Sequence, residues 1–93
     1  MKIVLNRSYG GFSLSSQVIE FLALRGKEGV RTYSKIDRTD PDLIAAVETL
    51  GDGCVTWTAD LAIVEIPDGT DYVIKEYDGK EWVSVDPHIV PRY

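Results

Sequence analysis

Residues 2–16 read Lys2-Ile3-Val4-Leu5-Asn6-Arg7-Ser8-Tyr9-Gly10-Gly11-Phe12-Ser13-Leu14-Ser15-Ser16, and this stretch decides the fold. Ile3, Val4 and Leu5 form an unbroken apolar run, the pattern of a strand buried on both faces, so residues 2–6 are predicted as a central strand. Gly10 and Gly11 permit a tight turn or a close backbone approach, because neither carries a Cβ. Ser15 suits an N-cap, and Val18, Ile19, Leu22 and Ala23 recur at helical spacing through residues 16–25, with Gly26 or Gly29 as the stop. A strand-to-helix turn of this kind is also a common seat for an anion, since the helix start offers unpaired amides and a partial positive charge.

A second helix is signalled by Asp40 at the N-cap, Pro41 at the first helical position and Asp42 in the first turn. Leu43, Ile44, Val47 and Leu50 follow at core spacing, and Gly51 lies just past the end. Between the helices, residues 30–36 alternate weakly and fit an edge strand guarded by its charges. Residues 54–58 extend briefly, and residues 61–66 read as a buried strand closed by Pro67-Asp68-Gly69. Residues 72–77 and 80–85 flank Asp78-Gly79, the pair favoured in a two-residue hairpin turn. The order β-α-(β)-α-β-β-β predicts an α+β fold, with two helices on one face of a mixed sheet of four or five strands. All 93 residues fit one domain, with residues 86–93, which include Pro87 and Pro91, as an irregular tail.

Composition narrows the function classes. The chain carries 15 acidic and 10 basic residues, a balance that disfavours direct nucleic-acid binding, which needs a basic stripe. One cysteine, Cys54, cannot form an internal disulfide, and one histidine leaves too few ligands for a zinc site; no metal or other cofactor is called for. No apolar run reaches membrane-spanning length and no signal peptide is expected, which places the chain in a cytoplasm. Asp37, Asp40 and Asp42 resemble a magnesium cluster, but capping accounts for Asp40 and Asp42. No set of base, nucleophile and metal emerges, so no catalytic residue is assigned and a binding protein is favoured over an enzyme.

Two candidate sites remain. At the glycine turn, Asn6, Tyr9, Ser13 and Ser15 offer hydrogen bonds and a stacking surface, Gly10 and Gly11 offer close approach, and Arg7 and Arg38 add charge if they converge. A phosphate-containing ligand or nucleotide would suit them. The turn lacks the Lys-Ser or Lys-Thr pair of a P-loop and the spacing of a dinucleotide fingerprint, so a purely structural turn is the competing reading.

The second candidate follows from the hairpin register, which opposes Tyr77 to Lys80, Glu76 to Glu81, Lys75 to Trp82, Ile74 to Val83, Val73 to Ser84 and Tyr72 to Val85. Tyr72, Ile74, Val83 and Val85 then make the core face. Val73, Lys75, Tyr77 and Trp82 lie on the other face, which is either open to a protein partner or covered by Ile89 and Val90 of the tail. Lys75 is placed to stack on Trp82. Glu76 and Glu81 face each other near the tip, where two carboxylates more often cost stability than run acid–base chemistry. A minimal hydrolase using Glu76 or Asp37 is the weakest reading.

The segments Tyr9-Gly-Gly-Phe-Ser-Leu-Ser15, Asp40-Pro-Asp-Leu-Ile44, Ile63-Val-Glu-Ile-Pro-Asp68 and Glu76-Tyr-Asp-Gly79, with residues 2–7, resemble a family of small bacteriophage and prophage proteins. The resemblance implies a phage accessory protein in the bacterial host cytoplasm. It would counter host defence by occupying a host protein or by sequestering a nucleotide signal. It carries over no catalytic residue, and it leaves a homodimer open.

Overall fold

The structure is a computed structural model and describes residues 1–56 and 58–85. It is an α+β fold: strand β1 (Lys2–Asn6), helices α1 (Ser16–Leu24) and α2 (Pro41–Leu50), a 3-10 turn (Gly51–Cys54), then strands β2 (Leu61–Glu65), β3 (Tyr72–Tyr77) and β4 (Lys80–Val85). None of its helices is long and apolar enough to cross a membrane. The expectations for residues 86–93, including the cover from Ile89 and Val90, fall outside the described residues.

Each helix end is set by local chemistry. The Ser15 hydroxyl accepts from the Val18 amide at 3.2 Å, and beyond Leu24 the amides of Gly26 and Lys27 donate to the carbonyls of Ala23 and Leu22. Gly26 makes this possible by taking φ +91, a region that costs an L side chain strain. At α2 the Asp40 carboxylate accepts from the amides of Asp42 (2.8 Å) and Leu43 (3.2 Å), with Pro41 opening the helix.

The core joins both helices to one face of β1. Val4, Leu14, Val18, Leu22, Leu43, Ala46, Val47, Cys54, Ala59 and Leu61 are buried together. Burying each of the larger side chains stabilises the fold by about 1.5–3 kcal/mol before entropy is counted. Ile3 and Leu5 alternate with Val4, point to the opposite face and are also buried, so β1 is covered on both sides as its apolar run predicts. In β2 only Leu61 is buried outright, so the expectation of a fully buried strand there is corrected to a half-buried one.

Among the described residues, the expected mixed sheet of four or five strands is replaced by two separate two-stranded sheets, β1–β2 and β3–β4, both antiparallel. Residues 30–36 form no strand. The Leu14 amide donates to the Thr32 carbonyl, the Ser34 hydroxyl accepts from the Arg31 amide, and Val30 and Ile36 pack against the core. The hairpin has the expected register from Tyr72↔Val85 to Tyr77↔Lys80, with Asp78 and Gly79 at φ 52 and φ 90. Its face of Tyr72, Ile74, Val83 and Val85, however, joins no part of the buried cluster around the helices: these side chains are half-buried or exposed. The two sheets stay apart because the Arg38 backbone carbonyl and two side chains, not a strand, occupy the free edge of β1.

Candidate functional site

Asn6 closes β1 and is fully buried. Its Nδ2 donates to the carbonyls of Ser8 and Gly79, each at 2.8 Å, and its Oδ1 accepts from the amides of Ser8 (3.0 Å) and Asp60 (2.9 Å). An amide side chain has two donor hydrogens and two acceptor lone pairs, so every hydrogen-bonding valence of Asn6 is spent. It ties together the glycine turn, the start of β2 and the hairpin tip.

The edge of β1 facing away from β2 is satisfied by Arg38 and Glu81. The Val4 amide donates to the Arg38 carbonyl at 2.8 Å, and Arg38 Nη1 donates back to the Val4 carbonyl at 3.3 Å. Two residues on, the Asn6 amide donates to Glu81 Oε1 at 2.8 Å. Arg38 grips the same carboxylate through both terminal nitrogens, Nη1 to Oε1 at 2.5 Å and Nη2 to Oε2 at 2.9 Å. The planar guanidinium matches a carboxylate in this two-bond geometry, and it lies over the Phe12 ring with Cζ 3.6 Å from the ring centroid. Glu81 is 9% exposed, so the pair is largely withdrawn from water.

The glycine turn completes this seat. The Gly10 amide donates to the Asp78 carbonyl at 2.6 Å. A Cβ on Gly79 would fall onto the Gly11 amide nitrogen and lie 2.6 Å from Gly11 Cα, and one on Gly10 would lie 3.0 Å from Thr58 Cβ. Gly10 and Gly11, at φ +114 and φ +101, thus form a socket into which the backbone of the hairpin turn fits.

The structure brings part of the predicted glycine-turn set together. Asn6, Gly10, Gly11 and Arg38 converge, and the group they hold is the chain's own carboxylate and hairpin turn. Ser13 is buried and bonded to the hydroxyls of Thr56 (2.6 Å) and Thr58 (3.0 Å), while Ser15 caps α1 and donates to the Gly53 carbonyl. Arg7 and Tyr9 stand exposed, the Tyr9 ring 5.5 Å from the Lys80 ammonium. The residue sequence reasoning missed is Glu81. Its place opposite Glu76 read as an exposed tip, whereas Glu76 is exposed and bonds the Gly79 amide and Glu81 points inward. The usable signal was parity, since Glu81 shares a face with Ile74 and Val83.

On the second candidate surface, Val73, Lys75, Tyr77 and Trp82 are all exposed, Tyr77 at 68% and Trp82 at 46%. The ring–cation contact on this side is Lys80 with Tyr9 rather than the expected Lys75 with Trp82. Among the described residues, neither lysine makes an ion pair.

The remaining titratable candidates have structural roles. The Asp37 carboxyl sits below its ordinary 3.8 because the amide and hydroxyl of Thr39 donate to it. Burial of Cys54 pushes its thiol up, which keeps it protonated and unreactive in the core. Compared with protein-family models, curated proteins and solved structures, the chain matches none.

Proposed function

We propose that this chain is a small phage-type accessory protein that works by binding, and that it inhibits a bacterial host protein, a defence component, in the host cytoplasm. The observation that carries the reading is the hairpin face: Val73, Tyr77 and Trp82 are exposed together on one side of a two-stranded sheet, beside Lys75 and Lys80. Large aromatic rings are expensive to leave in water and dominate the energy of protein contacts when a partner covers them. The short hairpin turn and its seat hold the face in a fixed shape, which lowers the entropy lost on binding.

The test is affinity purification from a bacterial lysate with the wild-type chain and with Tyr77→Ala/Trp82→Ala. Both rings are exposed, so the variant retains the fold, and thermal melting checks that. Retention of a host protein should drop at least about tenfold, given that truncating a central aromatic anchor commonly costs 2 kcal/mol or more. Equal retention by the two chains would remove this face as the contact surface.

A further inference from the structure

The seat at the end of β1 has the composition of an oxyanion site and already contains an oxyanion. We propose that it binds a phosphate dianion, free or as a monoester, in exchange for the Glu81 carboxylate, and that the docked hairpin is its built-in competitor. Five donors turn toward the hairpin: Arg38 Nη1 and Nη2 and the Asn6 amide onto Glu81, Asn6 Nδ2 onto the Gly79 carbonyl, and the Gly10 amide onto the Asp78 carbonyl. When the hairpin leaves, all five lose a partner at once, although Arg38 Nη1 keeps the Val4 carbonyl and Asn6 Nδ2 the Ser8 carbonyl, around a guanidinium held in place by Phe12. Such a cluster wants an anion with several acceptor oxygens, and phosphate brings more charge and more oxygens than a carboxylate.

The buried cluster that joins the helices to Val4 of β1 does not have to open for the exchange. Among the described residues, no β3 or β4 side chain belongs to that cluster. The Glu81 carboxylate competes as a tethered group, at an effective concentration in the millimolar range or above, so free phosphate displaces it only when similarly concentrated. Removing the charge at position 81 unmasks the site.

The experiment compares wild type, Glu81→Gln and Arg38→Met/Glu81→Gln by thermal melting in inorganic phosphate, in phenyl phosphate and in sodium chloride of equal ionic strength. Phosphate should raise the midpoint of Glu81→Gln by about 4 °C or more over chloride, raise wild type by less and leave the double variant unmoved. A larger rise with phenyl phosphate assigns a monoester, and equal rises assign the free ion. If Glu81→Gln and the double variant respond alike, the pair is structural and the proposal fails. Should Glu81→Gln not fold, amide and guanidinium NMR of wild type decides. Saturable movement of the Asn6 and Gly10 amides and the Arg38 side chain with phosphate supports the exchange, and their indifference to phosphate where chloride is equally without effect overturns it.

Discussion

Glu81 and Arg38 exchange two charge-assisted hydrogen bonds while the carboxylate also takes the Asn6 amide. Removing either partner strands the other in a setting with little water, which for a buried pair costs about 3–5 kcal/mol. Arg38 keeps 21% of its side-chain surface exposed, so the lower end of that range applies. Arg38→Met and Glu81→Gln should therefore each cost about 3 kcal/mol by urea unfolding. The double variant should lose markedly less than the sum, and additivity to within about 0.5 kcal/mol would mean that the two side chains do not act as a unit. Asn6 shows the same logic in a neutral group: with all four valences spent, its burial is tolerable only while the turn, β2 and the hairpin stay in place.

Helix α2 is held at its start by the Asp40 carboxylate, and that group gives the fold a predictable acid limit. Burial pushes the Asp40 carboxyl up, but the Lys27 ammonium, 2.9 Å away, and the amides of Leu43 and Asp42 together outweigh it and hold the carboxyl below 3.8. A lowered value means that the carboxylate's contribution is complete above the unfolded value near 3.8 and fades as pH falls through the lower folded one. Asp40→Ala should cost about 1 kcal/mol at neutral pH, and its stability should approach wild type as pH falls below 3.8 in a pH series of denaturation midpoints. Elements of this local kind were legible in the sequence: the α2 cap, a stop for α1 at Gly26 or Gly29, the apolar run of β1 and the Asp78-Gly79 register all depend on neighbours within a few positions. Residues 30–36 were not, because weak alternation cannot tell a strand from a loop pinned at Val30 and Ile36. Nor was the seat, which joins positions 6, 10, 38 and 81. Arg38 was a candidate at the glycine turn only if it converged there, and the hairpin register that opposed Glu81 to Glu76 did not show that Glu81 meets Arg38.

At the scale of the whole molecule, the chain divides its labour between an apolar core and a polar dock. Helices α1 and α2, β1 and β2 share the buried cluster, while the β3–β4 hairpin attaches through Asn6, Arg38, Glu81 and the paired glycines. This arrangement explains why the sheet stops at two strands: the β1 edge is already satisfied, so β4 meets it with a side chain instead of a ladder. It also leaves Tyr77 and Trp82 exposed on the other hairpin face, the surface proposed for a partner. The most direct check of this division is residue-resolved hydrogen exchange of the free wild-type chain. Amides within the hairpin ladder should open at a lower free energy than those of β1 and α2, and the Asn6 amide, bonded to Glu81, should exchange with the hairpin set. Hairpin amides that exchange only through global unfolding, together with those of β1, would contradict a hairpin docked outside the core.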